Sequence, residues 1–203
     1  GDTILHWNGN AWSSAASGAS GLLGVWGSSA SDVWAVGYNG AIEHWNGSAW
    51  SSVASGTTNT LRGIWGSSPS DVWAVGDAGT ILHWNASAWS SVASGTINPL
   101  YGVWGSSASD VWAAGGYYRG SGTIVHWNGS AWSSVANWSN MLLGIWGSSP
   151  SDVWAVNDSG TIEHWNGSVW SAEASGTTNT LRGIWGSSPS DVWVVGDVGT
   201  IQH

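Results

Sequence analysis

The hydrophobic positions of this chain come in short runs that recur along its length. The phrase DVWAVG occurs at 32–37 and 71–76, and near copies begin at positions 110, 152 and 191. The runs are rich in Val, Ile and Trp and are bounded by Gly, Ser, Asn or Asp, which is typical of β-strands joined by turns. Because the runs are too short for helices, the pattern predicts an all-β fold.

The runs repeat with a regular period. The tryptophan of an IWG or VWG element lies at 26, 65, 104, 146 and 185, at spacings of 39, 39, 42 and 39 residues. In the second unit the predicted strands are LRGIWG (61–66), DVWAVG (71–76), TILHWN (80–85) and AWSSVA (88–93). Four antiparallel strands in about 40 residues are typical of a β-propeller blade. The sequence predicts one domain of five blades, with repeats near 22–60, 61–99, 100–141, 142–180, and 181–203 completed by 1–21.

The two ends of the chain suggest how the ring closes. The chain begins with the third and fourth strands of a unit, DTILHWNGNAW, and ends with the first three. If the N-terminal strands joined the C-terminal blade, they would complete a fifth blade and remove two exposed strand edges. Asp2–His6 and Gly199–His203 are two versions of the same third strand. Either one copy is redundant in a closed ring, which is the prediction, or the chain belongs to a longer array.

The composition of the chain argues against some classes of binding partner. The chain has 21 Trp, no Phe, 31 Gly, no Cys and a formal net charge of −9. Large aromatic side chains can fill the core of a chain that has few charged residues. The 3 basic residues cannot neutralise a phosphate backbone, which argues against a nucleic-acid partner. The acidic balance argues against an anionic membrane surface, and no apolar run approaches the length needed for membrane insertion.

The repeat unit resembles two known propeller repeats. Its consensus is L-x-G-[IV]-W-G-x(4)-D-V-W-A-V-G-x(2)-G-T-I-x-H-W-N-G-x-x-W. It is similar to the tectonin repeat, in which VWGV, IYRW and NGxxW elements recur in the same order. It also resembles the Asp-box repeats of sialidase-like and photosystem-assembly propellers, although Asn85–Trp89 stand where that turn has an Asp, glycines and a Trp. Because tectonin-type proteins are mostly lectins for glycans or lipopolysaccharide, the resemblance implies a carbohydrate-binding propeller of bacterial type.

The third strand of each unit ends in a Trp followed by Asn, which suggests a sugar site. An indole offers an apolar face to sugar C–H groups, and a neighbouring amide can hydrogen-bond to hydroxyls. Several such sites on one ring would raise avidity. The alternative is that these side chains only close the blade. The predicted ligand-binding residues are Trp7, Trp45, Trp84, Trp127, Trp165, Asn46, Asn85, Asn128 and Asn166.

One turn is longer than its counterparts in the other units. Tyr117, Tyr118 and Arg119 lie in this insertion, before the third strand of the third unit. Exposed loops often carry binding residues, so these three are added to the predicted ligand contacts. The alternative is a tolerated insertion with no function.

No catalytic residue, metal site or cofactor is predicted. A His precedes each third-strand Trp, but metal ligands must converge within a few ångströms, and equivalent positions in different blades lie far apart. Each His is instead expected to hydrogen-bond within its own blade, to the Asp or Ser of the first turn. The variable first-strand position does not form a catalytic constellation; it is occupied by Leu23, Arg62, Tyr101, Leu143 and Arg182.

These patterns predict a non-enzymatic propeller, extracellular or at the cell surface, that binds glycans or a glycosylated surface at several sites. The alternative function is a protein-interaction or structural module of a bacterial surface or secreted protein with no small ligand.

Overall fold

A computed structural model describes residues 4–15, 17–118 and 120–203. Over these ranges the chain forms β-strands β1 to β21 and three 3-10 turns of three residues each. The strands pair in antiparallel sheets that are stacked side by side, so the fold is an all-β propeller of five blades. The predicted fold class is therefore confirmed.

Four blades are complete, and each follows chain order from its first strand to its fourth. Blade 1 contains β3 (Leu22–Ser29), β4 (Asp32–Gly37), β5 (Ile42–Trp45) and β6 (Trp50–Ser52). Blade 2 contains β7 (Leu61–Ser68), β8 (Asp71–Gly76), β9 (Ile81–Trp84) and β10 (Trp89–Ser91). Blade 3 contains β11 (Leu100–Ser107), β12 (Asp110–Gly116), β13 (Gly122–Trp127) and β14 (Trp132–Trp138). Blade 4 contains β15 (Leu142–Ser149), β16 (Asp152–Asn157), β17 (Ile162–Trp165) and β18 (Trp170–Glu173).

The remaining strands lie at the two ends of the chain. β1 (Ile4–Trp7) and β2 (Trp12–Ala15) form a two-stranded sheet. Blade 5 consists of β19 (Leu181–Ser188), β20 (Asp191–Gly196) and β21 (Ile201–Gln202). The 3-10 turns join the second and third strands of blades 1, 2 and 5, at Tyr38–Gly40, Asp77–Gly79 and Asp197–Gly199.

In the inner blades, which have a neighbouring blade on each side, the second strand is covered on both faces. In β8, Val72, Trp73, Ala74 and Val75 are all 0–1% exposed. Consecutive apolar residues are therefore required here, rather than the alternation of a strand with one solvated face. This explains why DVWAVG and its copies depart from a period of two.

A Trp and a Gly recur in the first strand because they meet across each interface between blades. The Cη2 atom of Trp26 lies 2.7 Å from the position that a Cβ at Gly66 of blade 2 would occupy. At the next three interfaces the corresponding distance is 2.6 Å, so no larger residue fits beneath the indole. We call this the Trp–Gly contact; its other pairs are Trp65 with Gly105, Trp104 with Gly147 and Trp146 with Gly186.

The ends are arranged differently from the predicted ring closure. β1 and β2 pair with each other. β20 pairs instead with β21, where Val194 lies opposite Gln202 and Val195 lies opposite Ile201. The C-terminal copy of the third strand thus occupies the place that the prediction gave to Asp2–His6, of which Asp2 and Thr3 lie outside the described residues. The N-terminal strands therefore do not complete blade 5 within this chain.

The turn between the second and third strands contains a strained valine. Val198 has φ 58°, in the left-handed region that a β-branched residue rarely adopts, and it is 90% exposed, so packing does not compensate. Asn39 holds the same position in blade 1 with φ 56°. We expect Val198→Asn to raise the free energy of unfolding by about 1 kcal/mol, measured by urea denaturation. Ala78→Asn in blade 2 is the control and should gain less; a loss of stability in Val198→Asn would contradict the strain.

Candidate functional site

The third-strand tryptophans lie largely within the packing between blades. Trp84 is half-buried and its ring centroid lies 5.0 Å from that of Trp34 in the preceding blade. The equivalent centroid distances are 5.1 Å for Trp127 and 5.7 Å for Trp165. The indole N–H groups of Trp45, Trp127 and Trp165 each donate to a backbone carbonyl at 3.2 Å. Only part of each ring remains open to a ligand, and Trp7, beside β2, is 48% exposed.

The asparagines that follow these tryptophans shape the turn to the fourth strand. The Oδ1 atom of Asn46 accepts hydrogen bonds from the backbone N–H groups of Ser48 and Ala49, both at 3.0 Å. Such Asx bonds hold the chain in a tight turn. The same backbone bonds form at Asn85, Asn128 and Asn166. A part for these amides in sugar binding stays a prediction.

The histidines of blades 1 to 5 hydrogen-bond within their own blades, as predicted. His44 Nε2 lies 2.7 Å from Asp32 Oδ1, and the other carboxylate oxygen accepts the Ser28 hydroxyl at 2.5 Å. The His44 ring also stacks on Trp34, with the centroids 4.0 Å apart. The same His–Asp pair forms in blades 2 to 5. Within the described part of the chain, no three His, Cys, Asp or Glu side chains are grouped closely enough to hold a metal ion.

The tyrosines gather on one face of the propeller. The chain has 4 tyrosines, and all lie at the turn between second and third strands or beside it, at the start of the first strand. Backbone bonds bring these two places together: Gly116 N–H donates to Pro99 O at 2.8 Å, next to Leu100 and Tyr101. We define the Tyr–Arg face as Tyr38, Arg62, Tyr101, Tyr117 and Tyr118.

Arg62 is held at the centre of this face. Its Nε donates to Asp77 Oδ1 at 2.5 Å and its Nη2 to Oδ2 at 3.2 Å, a bidentate ion pair. Its guanidinium carbon lies 5.0 Å from the centroid of the Tyr101 ring, within the range of a cation–π interaction. Hydrogen bonding to Asp77 raises the pKa of Arg62, and burial raises the pKa of the Tyr101 hydroxyl. At neutral pH the face therefore presents a charged guanidinium beside a neutral phenol.

Three of the tyrosines project from this face. Tyr38 and Tyr117 are 49% exposed and Tyr118 is 65% exposed. The Tyr117 hydroxyl lies 3.5 Å from the backbone oxygen of Ile97. Arg119, the third predicted contact in this turn, lies outside the described residues. The face thus combines aromatic rings and a positioned guanidinium across blades 1 to 3.

Sequence reasoning selected Tyr117 and Tyr118 but not Tyr38, Arg62 or Tyr101. A comparison of the repeats could have identified Tyr38 and Tyr101, because other blades have different residues at these positions. The position of Tyr38 is Asp77 in blade 2 and Asp197 in blade 5, and the position of Tyr101 is Leu143 in blade 4. Most other positions serve the repeated packing. Departures from the repeat at exposed turns are therefore candidates for binding.

Blade 5 has a simpler version of the Arg62 arrangement. Arg182 forms an ion pair with Asp197, with Nη2 2.9 Å from Oδ2. The hydrogen bonds and charge of Arg182 lower the pKa of Asp197. Its side chain is 60% exposed, against 30% for Arg62. This pair is therefore a natural control for the role of Arg62.

Comparison with known proteins gives the fold. No protein-family model matches the chain, and no curated protein matches it. It is similar to the solved structure of YCF48 bound to D1 peptide, with a TM-score of 0.72 and 18% identity over 98% of this chain and 71% of that one. YCF48 from Cyanidioschyzon merolae has a TM-score of 0.73 and 16% identity over 98% and 75%. The WD40 β-propeller domain of Doa1 has a TM-score of 0.72 and 14% identity over 89% and 64%.

These matches support the propeller repeat, whereas the resemblance to tectonin-type lectins and Asp-box propellers stays a prediction.

No helix among the described residues is long and apolar enough to cross a bilayer.

Proposed function

We propose that this protein is a non-enzymatic protein-interaction module whose Tyr–Arg face binds a peptide segment of a partner protein. The observation that supports this most is the gathering of all 4 tyrosines at or next to one type of turn. Tyrosine and arginine are among the residues that supply most of the binding energy at protein interfaces. A similar propeller, YCF48, has been solved with a bound peptide.

The charges on and around the face limit the chemistry of the segment. Asp77 neutralises Arg62, and the chain as a whole has a net charge of −9. A strongly acidic segment would be repelled, whereas a basic one would be attracted and a neutral one would not be opposed. We therefore propose a neutral or basic segment with apolar or aromatic side chains that pack on the exposed tyrosine rings.

Selection from a random peptide library on the immobilised chain tests this proposal. The best peptides are synthesised and their affinities measured by isothermal titration calorimetry. Tyr101→Leu and Tyr38→Asp introduce the residues that other blades have at the same positions, Leu143 and Asp77, so the fold should tolerate them. We expect each to weaken binding by about tenfold or more, as for interface anchors.

Arg182→Leu is the matched control, since it removes the blade 5 arginine and should leave peptide affinity unchanged. The proposal is wrong if no peptide is selected, or if the selected peptides bind the two tyrosine variants as tightly as the unaltered chain.

Glycan binding outside the cell is the second candidate function. It is supported by the third-strand tryptophans of blades 1 to 4, which are only half-buried and so leave part of each ring accessible. A glycan array probed with the same protein tests it. Glycan binding that falls in Trp84→Ala but not in Tyr101→Leu would favour this candidate over the peptide site.

A further inference from the structure

Glu43, in the third strand of blade 1, is a buried glutamate with only one of its two carboxyl oxygens satisfied. The residue is 1% exposed. Its Oε1 accepts the hydroxyl of Ser52, the residue opposite on β6, at 2.5 Å. Its Oε2 is buried and accepts no hydrogen bond from the described residues. Because burying an unpaired carboxylate oxygen costs free energy, this atom is expected to have a partner.

Blade 4 shows how a carboxylate at this position is satisfied from within the chain. Glu163 is the equivalent residue, and its carboxyl accepts a hydrogen bond from Trp138. Trp138 lies six residues after Trp132, in the segment that leads into blade 4, whereas the residue six positions after Trp12, before blade 1, is Gly18. The segment before blade 1 is described from 17 to 21, so the donor is lacking because a glycine stands in place of a tryptophan.

A cavity lies against the Glu43 carboxylate. Its volume is about 750 Å³, and Glu43, Ser52, Ala19 and Asn39 are among the residues that line it. Cavities of about 670 and 680 Å³ occur at the same place in blades 2 and 4, so the space belongs to the blade architecture. Of these three cavities, only that of blade 1 has a third-strand carboxylate in its wall.

An exposed glycine lies beside the same carboxylate. A Cβ built on Gly18 would lie 3.8 Å from Glu43 Oε1 and 3.5 Å from Ser52 Oγ, which are ordinary contact distances. Gly18 is exposed, so at this point a backbone without a side chain lies between the carboxylate and solvent. A small displacement of the segment 17–21 is therefore enough to open Oε2 to a ligand.

We propose that this cavity binds the primary ammonium group of a ligand, which donates a hydrogen bond to Glu43 Oε2. A charged donor suits the site because it also neutralises the buried carboxylate. A guanidinium binds best to both oxygens of a carboxylate, but Ser52 already donates to Oε1. An ammonium is a compact donor that needs only one oxygen.

Two kinds of ligand present this group: a free alkylamine and the lysine side chain of a protein segment. The second kind would connect the cavity with the Tyr–Arg face, because Asn39 in the cavity wall directly follows Tyr38. The ammonium site itself does not depend on the proposed peptide binding.

Titration with n-butylammonium chloride, followed by nuclear magnetic resonance of the backbone amides, tests the site. We expect saturable shifts at Gly18, Ala19 and Ser52 that sodium chloride at the same ionic strength does not produce. Glu43→Gln keeps an acceptor for Ser52 but removes the charge, and we expect it to raise the dissociation constant by about tenfold or more. n-Butylguanidinium should bind the unaltered chain more weakly than n-butylammonium does.

Two glutamates of blade 4 are matched controls for the loss of one negative charge. Glu163→Gln changes the equivalent buried carboxylate, and Glu173→Gln changes an exposed one. Both variants should bind n-butylammonium as the unaltered chain does. Gly18→Trp places an indole where the segment before blade 4 has Trp138, and it should abolish n-butylammonium binding because the donor then comes from within the chain.

A tripeptide with a central lysine and blocked ends distinguishes the two kinds of ligand. Binding at the same amides, at least as tight as that of n-butylammonium, would identify a protein segment as the source of the ammonium. Binding of n-butylammonium alone would identify a free amine. Both results support the site.

Circular dichroism confirms that each variant is folded, and Glu43→Leu replaces Glu43→Gln if that variant is not, since blade 2 has Leu82 at this position. The proposal is overturned if n-butylammonium produces no saturable shift at the three amides. It is also overturned if the Glu43 variant binds n-butylammonium as tightly as the unaltered chain, or if Glu173→Gln weakens binding equally.

Discussion

Replacing Trp73 by alanine is expected to lower the free energy of unfolding by about 3–5 kcal/mol. Trp73 is 1% exposed and stacks on His83, with the ring centroids 4.2 Å apart. Its ring also lies 5.1 Å from Trp127 and 5.3 Å from Trp132 in the next blade. Removing it leaves a cavity that two blades share, and neither blade can fill it alone. Urea denaturation followed by circular dichroism measures the loss.

Trp193→Ala is the matched control, because Trp193 has the same position in blade 5 but is 42% exposed. We expect it to cost less than half as much. Equal losses would mean that burial between blades is not the source of the Trp73 effect.

Glu163→Gln is expected to raise the free energy of unfolding by about 1 kcal/mol at neutral pH. Glu163 is 6% exposed and lies between Ala155 and Ala172 on the neighbouring strands. Burial raises the pKa of its carboxyl above the ordinary 4.5, and a hydrogen bond from Trp138 partly offsets this. Because the folded state holds the proton more tightly, this group reduces stability as the pH rises through and above 4.5.

The gain in Glu163→Gln should therefore shrink as the pH falls well below 4.5, where the carboxyl becomes protonated in both states, and should grow towards neutral pH. Glutamine keeps an acceptor for Trp138 and is the residue that blade 5 has here, Gln202. Glu163→Leu removes the acceptor as well and should gain less, although Leu82 shows that blade 2 accommodates leucine at this position. A gain that does not depend on pH would show that the charge is not its cause.

The blades could be predicted from the sequence because each inner blade packs against neighbours of the same kind. Residues such as Trp73 and Gly63 meet the same kind of partner in each inner blade, so the packing requirement appears as a repeated phrase. The His–Asp hydrogen bond could be predicted equally well, since both residues recur in every unit.

The arrangement of the ends could not be read from the same pattern. Whether Ile4–Trp7 reaches β20 depends on the rotation from each blade to the next, which sums small differences in packing around the whole propeller. Only part of the candidate site could be predicted from the sequence, for a related reason. Trp84 looks like an exposed rim residue within its own unit, and only the preceding blade, through Trp34, covers part of it.

The Trp–Gly contact also bears on how such a gene can change. Since each blade offers the same indole to its successor and the same glycine to its predecessor, an in-frame gain, loss or exchange of one 39-residue unit creates no unfamiliar junction. Recombination between nearly identical repeats would then alter the number and order of the turns while preserving their support. The proposed binding specificity at Tyr38 or Tyr117 could then diverge by such shuffling at little cost to the interior.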